Sequence, residues 1–168
     1  MNPPLDRPPP CFYRVQDQQS FTIYDDIAGF ESNAHYWTDF SYWVNPTKFY
    51  EHLNWRARPI QESPFISMFD TEGMVVRAQC HVDSGHTGVF VAQISSSFLL
   101  PTHLSLAFEH KTVELPAWQD SRNGSLFLSA RDVREYLGVR SENMWDWEWF
   151  ALDRIPVDMI TRITPYRR

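Results

Sequence analysis

The stretch "WDWEWFALDRIPVDMI", residues 145–160, is the most aromatic segment of the chain, and it carries two carboxylates one residue apart. Its central part, residues 148–152, has the aromatic and aliphatic composition typical of a strand. Residues i and i+2 of a strand share a face, so the pattern predicts that Asp146 and Glu148 lie side by side. Trp147 and Trp149 would then point to the opposite face, towards a core.

Paired carboxylates are a general catalytic device. Like charges close together in apolar surroundings raise the pKa of one carboxyl of a pair, which gives the two groups different roles. One ionised carboxylate can stabilise an oxocarbenium-like centre while the other handles protons. The alternative is a solvated acidic edge, and the spacing of Asp146 and Glu148 alone favours that alternative.

Local sequence patterns indicate short strands mixed with a few helices, without the regular strand–helix alternation of a doubly wound fold, so we expect the α+β class. The predicted strands cover residues 11–16, 88–95, 125–129, 148–152 and a last strand near the end of the chain, and residues 63–69 are expected to form a buried strand or a turn leading into a helix. The predicted helices are 45–56 capped by Asn45, about 71–82 capped by Thr71, and a third from the Ser129 cap to Gly138.

Two regions are predicted to lack regular structure. Residues 1–10, "MNPPLDRPPP", should form an extended proline-rich arm, with a single domain at residues 11–168. Residues 17–44 should form a long irregular segment, and long loops often act as lids. The aromatic candidates to line a pocket under such a lid are Phe30, Tyr36 and Trp37.

The composition limits the classes of partner. A net charge of -6 argues against nucleic acid and anionic membranes as partners. The chain has no run of 18 apolar residues, so no membrane span is predicted. Its first residues do not resemble a signal peptide, so we expect a cytoplasmic protein or one secreted after processing. Scattered histidines and the absence of zinc spacing predict no metal site. Cys11 and Cys80 are expected to be buried free thiols, with a single disulfide as the alternative.

Two further polar residues stand in apolar strands. Arg14, in "FYRVQ", needs a carboxylate, phosphate or carbonyl partner, and structural pairing is the more common explanation. Ser67, in "FISMF", is a lone hydroxyl of the kind usually satisfied within a core. No GxSxG pattern surrounds it, so a nucleophile elbow is not indicated.

Taken in order, these residues resemble the R-S-E class of mono-ADP-ribosyltransferases. The end of the chain resembles the catalytic strand of the cholera toxin and heat-labile enterotoxin A chains and of fungal enterotoxin-like domains, in which an acid-x-Glu precedes Ala-Leu and then Ile-Pro. The matching residues here are Asp146-Trp147-Glu148, Ala151-Leu152 and Ile155-Pro156, with "FYRVQD" resembling the first strand and Ser67 the serine. The resemblance spans residues 11 to 165 but is specific in three short patches.

The resemblance implies an ADP-ribosyltransferase-like fold of two small, mostly antiparallel sheets with flanking helices, and NAD as the substrate. It implies that Arg14 contacts NAD phosphate and ribose and that Ser67 orients the final glutamate. Glu148 would stabilise the transition state as nicotinamide leaves, and Asp146 would activate a protein acceptor, classically an arginine. Phe69 would stack on nicotinamide, although a core position is favoured for it.

The chain departs from the family pattern at two places. Ser67-Met68-Phe69 stands where the family has Ser-Thr-Ser, and Asp146 is one methylene shorter than the usual glutamate. Both departures affect the expected identity of the acceptor more than the expected binding of NAD. We therefore expect an NAD-dependent mono-ADP-ribosyltransferase, of the kind found in toxins and effectors. The alternatives are an NAD glycohydrolase on the same scaffold and a degenerate, non-enzymatic binding module.

Overall fold

The computed structural model describes residues 3–32, 43–54 and 63–166, and it confirms the α+β class with two antiparallel sheets. The helices are α1 (Pro46–Leu53), α2 (Thr71–Asp83) and α3 (Ala130–Leu137), and a 3-10 turn covers Val157–Met159. The strands are β1 (Cys11–Gln16), β2 (Ile23–Asp25), β3 (Gly29–Glu31), β4 (Phe65–Phe69), β5 (Phe90–Ser95), β6 (Leu99–Phe108), β7 (Lys111–Asp120), β8 (Leu126–Ser129), β9 (Glu148–Leu152), β10 (Arg154–Pro156) and β11 (Ile160–Pro165).

The two sheets are unequal in size. The larger has eight strands in the order β11-β5-β1-β4-β9-β8-β7-β6, and the smaller has the order β10-β3-β2. In both sheets the neighbouring strands run antiparallel. Strands β1, β4 and β9, which are far apart in sequence, therefore lie side by side near the centre of the larger sheet.

Strand β9 is buried on both faces, which explains why its sequence is continuously apolar after Glu148. Phe150 packs with Phe49 of α1 and Phe65 of β4, whose rings stack 4.0 Å apart. Trp149, on the other face, packs against Phe12, with ring centroids 5.2 Å apart. Each such side chain contributes about 1.5–3 kcal/mol through its burial, so the two faces together fix β9 in the centre of the sheet.

Two of the three predicted helix N-caps, Asn45 and Ser129, are confirmed. Asn45 accepts a hydrogen bond from the Lys48 N–H at 2.9 Å, and Ser129 accepts one from the Asp132 N–H at 3.1 Å. At α2 the predicted cap was wrong by one residue. Asp70 is the cap, because its carboxylate accepts a hydrogen bond from the Gly73 N–H at 2.8 Å.

The predicted irregular region contains the two short strands β2 and β3. Phe30 is fully buried and packs 4.9 Å from the ring of Tyr24 and 6.5 Å from that of Phe90. The prediction that Phe30 lines a pocket under a lid is therefore wrong, because its ring belongs to the core. Tyr36 and Trp37, the other two candidates, lie outside the described residues.

Cys11 and Cys80 form no disulfide, as expected, but both are half-buried and not buried as predicted. No helix among the described residues is long and apolar enough to cross a membrane.

The proline-rich arm lies against α3. The N–H of Leu5 donates to Asp132 at 2.8 Å, and Asp6 pairs with Arg131 at 2.8 Å. Asp132 is completely buried, and its second carboxylate oxygen has no hydrogen-bond partner among the described residues. Burial raises the pKa of the Asp132 carboxyl above its usual value, although the hydrogen bonds from Leu5 and Ser129 act in the opposite direction.

Replacing Asp132 by asparagine is expected to stabilise the protein at pH 7 and not at pH 3. The carboxyl ionises at a higher pH in the folded than in the unfolded chain, so stability falls as pH rises through this window. The asparagine carries no charge and avoids that loss. We expect the Tm of Asp132→Asn to exceed that of the wild type at pH 7 by roughly 2–4 °C, the shift that about 1 kcal/mol produces in a chain of this size.

Thermal unfolding at several pH values between 3 and 7 measures this difference. Glu135→Gln, which removes an exposed acid from the same helix, is the matched control and should show no such trend. A Tm for Asp132→Asn below that of the wild type at pH 7 would show that the ionised carboxylate stabilises the folded protein.

Candidate functional site

Arg14, Ser67 and Glu148 lie on the three adjacent central strands β1, β4 and β9. The main-chain carbonyl of Ser67 accepts a hydrogen bond from Nη1 of Arg14 at 3.0 Å. Glu148 lies opposite Phe69 in the pairing of β9 with β4, so it shares a face with Ser67, two residues along β4. All three are buried, with exposed fractions of 9%, 7% and 4% respectively. The sheet thus brings together three residues selected from separate parts of the sequence.

The guanidinium of Arg14 has a fixed orientation. Its Nε and Nη2 both donate to Oε1 of Gln16, at 3.1 and 2.8 Å. Gln16 in turn donates to the main-chain carbonyl of Thr22 at 2.5 Å. The expected structural pairing of Arg14 is therefore confirmed, with carbonyl oxygens as the acceptors.

The hydroxyl of Ser67 is positioned by a histidine, His52, that no sequence pattern indicated. Nε2 of His52, on α1, lies 2.8 Å from Oγ of Ser67, and its Nδ1 lies 2.6 Å from Oγ of Ser63. His52 is 3% exposed, so the imidazole is held between the two serines. Ser67 sits within a regular strand, without the sharp strand-to-helix turn that exposes a nucleophilic serine. The contact therefore orients the hydroxyl.

A second arginine, Arg77 on α2, faces the same site. A cleft of about 320 Å³ is lined by residues of β1, β4, α2 and the 17–22 segment, among them Arg14, Ser67 and Arg77. Burial lowers the pKa of Arg77 from its usual value, and the charge of Glu148 acts in the opposite direction. An arginine stays protonated at neutral pH even so, so the cleft contains two cations.

Glu148 is reached through a much smaller space. A hollow of about 10 Å³ beside the cleft shares Ser67 and Arg77 with it, and is also lined by Phe69, Trp145 and Glu148. Phe69 is 3% exposed, and its ring lies 5.7 Å from that of Trp145. The expected core position of Phe69 thus agrees with its burial, although its side chain borders the hollow. Any ligand that reaches Glu148 must displace a side chain of this wall.

The comparisons with known proteins give a family without a described activity. A family model described as a domain of unknown function, DUF7587, matches residues 7–167. The chain belongs to the DUF7587 family. No curated protein and no solved structure matches it significantly.

Asp146 does not share a face with Glu148 in the DUF7587 domain, so that prediction was wrong. Strand β9 begins at Glu148, whose N–H donates to the carbonyl of Trp145 at 3.0 Å across a turn. Trp147 packs against Gly73 of α2, where an added Cβ would lie 2.1 Å from the indole Cδ1. This packing ends the strand, and Asp146 turns outward with a side chain 71% exposed, 2.5 Å from Nη1 of Arg134.

A cluster at the edge of the cleft was also missed. Oδ2 of Asp17 lies 2.7 Å from Nδ1 of His86 and hydrogen-bonds Nδ1 of His81, and all three residues line the cleft. Burial acts to raise the pKa of Asp17, but hydrogen bonds from His86, His81 and the Gln19 N–H lower it below its usual range. Burial lowers the pKa of His81, which favours a neutral imidazole. The sequence did not indicate this cluster, because Asp17 and His81 are 64 residues apart in the chain.

Proposed function

We propose that this DUF7587 domain cleaves the bond between nicotinamide and ribose in NAD and transfers ADP-ribose to a protein acceptor. The observation that carries the proposal is the meeting of Arg14, Ser67 and Glu148 on adjacent strands beside one cleft. The resemblance to R-S-E mono-ADP-ribosyltransferases requires these three residues to meet, although they come from patches far apart in the sequence.

The charge of the cleft supports a dinucleotide as substrate. Arg14 is buried and Arg77 is half-buried, and a planar guanidinium can bind two phosphate oxygens at once. A cleft of about 320 Å³ falls within the range of small-molecule sites. The diphosphate of NAD would bind in this cleft, with its nicotinamide half directed towards Ser67.

Glu148 supplies the electrostatic part of the proposed reaction. As the bond between the anomeric carbon and nicotinamide breaks, its electron pair passes to the nicotinamide nitrogen and positive charge develops on the ribose. A buried carboxylate stabilises that charge more strongly than a solvated one does. The hydroxyl of Ser67, held by His52, would bind the ribose. Displacement of Trp145 or Phe69 by nicotinamide would open the hollow beside Glu148.

In the proposed reaction Asp146 would meet an acceptor arriving from solvent, because its side chain is exposed. Its carboxylate already contacts a guanidinium, that of Arg134, which is the group an arginine acceptor would present. An exposed ion pair contributes only about 0–1 kcal/mol, so an incoming arginine can replace Arg134 at little cost. This exchange would bring the acceptor guanidinium to the outer side of the turn that precedes Glu148.

The occupied Asp146 also favours a second candidate, an NAD glycohydrolase. While Arg134 holds Asp146, water is the acceptor that can enter the site without breaking an ion pair. The product would then be free ADP-ribose. The small hollow at Glu148 likewise keeps a non-enzymatic binding module as a third candidate.

Products formed from NAD distinguish these candidates. The purified domain is incubated with NAD, with and without an arginine analogue, and nicotinamide, free ADP-ribose and the modified analogue are quantified by chromatography and mass spectrometry. We expect nicotinamide release that the analogue stimulates, together with an ADP-ribosylated analogue. Nicotinamide with free ADP-ribose alone would support the glycohydrolase. If the domain neither releases nicotinamide nor binds NAD in calorimetry, the enzymatic proposal is overturned.

A further inference from the structure

The Asp17–His81–His86 cluster has the composition of a transition-metal site. It offers two imidazole nitrogens and one carboxylate oxygen, and these three atoms all lie within 4.8 Å of one another. Zinc bonds to histidine nitrogen and carboxylate oxygen measure about 2.0–2.2 Å, so ligand atoms around one zinc ion are separated by about 3 Å. The 2.7 Å between Oδ2 of Asp17 and Nδ1 of His86 is close to that spacing.

We propose that Asp17, His81 and His86 bind a divalent transition-metal ion of the zinc class. The proposal does not depend on the reaction with NAD. Two histidines with one carboxylate are ligands that zinc and neighbouring first-row metals accept, and three protein ligands leave a coordination position open. The three residues line the 320 Å³ cleft, so water or an anionic ligand in the cleft can take that position.

The carboxylate is held by contacts of its own that leave one oxygen directed at the histidines. Oδ1 of Asp17 accepts hydrogen bonds from the Gln19 N–H at 2.7 Å and from Oγ of Ser20 at 3.3 Å. Oδ2 faces His81 and His86. Outer contacts of this kind orient a metal ligand before the ion binds.

The histidines are held by the end of α2. His81 lies in the last turn of the helix, and His86 follows Gly85, whose φ of +78° reverses the chain. The N–H of His86 donates to the carbonyl of His81 at 3.1 Å, which brings the two rings within 5.6 Å of each other. The two histidines can face the same carboxylate although they are five residues apart, because the helix ends between them.

The electrostatic balance includes opposing charges. Arg14 and Arg77 line the same cleft and repel a dication. The buried charge of Asp17 attracts it, since this carboxylate is 1% exposed and weakly screened. The C-terminal end of α2 adds partial negative charge beside the two histidines. The proposal requires direct coordination by the three ligands to outweigh the repulsion from the two arginines, and the zinc titration measures that balance.

Zinc binding to the metal-free domain tests the proposal without any use of NAD. The protein is treated with a chelator, desalted and titrated with zinc chloride in competition with a chromophoric chelator. We expect one equivalent of zinc per chain. His86→Ala removes a half-exposed ligand and should weaken binding by more than the roughly 10–100-fold that loss of an outer-shell partner costs.

His110→Asn is the matched control. It removes an exposed histidine from the β6–β7 turn, and asparagine tolerates the φ of 63° found there. This variant should bind zinc like the wild type, and zinc should raise the Tm of both but not that of His86→Ala. Binding of less than one equivalent, or equal affinity in the wild type and His86→Ala, would show that the cluster is a hydrogen-bonded network without a metal.

Discussion

Glu148→Gln is expected to reduce nicotinamide release from NAD by at least about 100- to 1,000-fold, the range that loss of one preorganised electrostatic group costs. Glutamine keeps the size of the side chain and removes its negative charge. The developing charge on the ribose would then face a neutral amide and the cation Arg77. Initial rates of nicotinamide release at saturating NAD, with binding followed separately by calorimetry, measure the effect on the chemical step.

The control for this experiment is a charge change of the same kind outside the site. Glu142→Gln neutralises an exposed acid just before the same strand and should leave the rate unchanged. The Tm of Glu148→Gln is measured as well, because Arg77 loses an attractive neighbour in this variant. A folded Glu148→Gln that releases nicotinamide at the wild-type rate would exclude Glu148 from the proposed mechanism.

Elements with strong local signals were predictable from the sequence. Helix α1 has an Asn45 cap and a proline at its first position, and α3 lies between Ser129 and a Gly138 with φ of +69°. Strand β9 was recognisable because burial on both faces requires a continuous apolar run. In each case the signal lies within a few residues of the element that it specifies.

The β6–β7 hairpin was not predicted, because its turn lacks the usual residues. Glu109 and His110 connect the strands with φ of 50° and 63°, a conformation usually filled by asparagine or glycine. Pro101 and Pro116 also interrupt the strand pattern, since each lacks an N–H to donate. The ten-residue strands pair along their whole length, so extensive pairing compensates for weak local preference.

The candidate site was predictable where a residue type conflicted with its surroundings. Arg14 and Ser67 stood out as polar residues in apolar strands, whereas Arg77 lies on a half-exposed helix face and His52 on a helix, where neither is unusual. Asp146 was misplaced because strand alternation was extended two residues too far. The Trp147 contact with Gly73, which ends the strand, joins residues 74 positions apart, and such a contact has no local signal.

Gly29→Ala, in strand β3 of the smaller sheet, is expected to destabilise the protein more than Gly124→Ala does. Gly29 pairs with Pro156 of β10 and has a φ of +98°. A Cβ there would lie 2.2 Å from the carbonyl oxygen of Ile155 and 2.8 Å from the nitrogen of Val157. These are main-chain atoms of the segment that follows β9, so they can move only if β10 separates from β3.

The expected loss combines two costs. Strain at positive φ costs about 1–3 kcal/mol and the forced backbone shift a further 1–3 kcal/mol or so, which together correspond to a fall in Tm on the order of 10 °C. Gly124→Ala isolates the first cost, because its φ of +78° is similar and its nearest atom, Nε2 of Gln119, is 3.8 Å away. Thermal unfolding of both variants measures the difference. Equal losses would mean that Gly29 provides only its positive φ, and that close contact with β10 is not what requires glycine there.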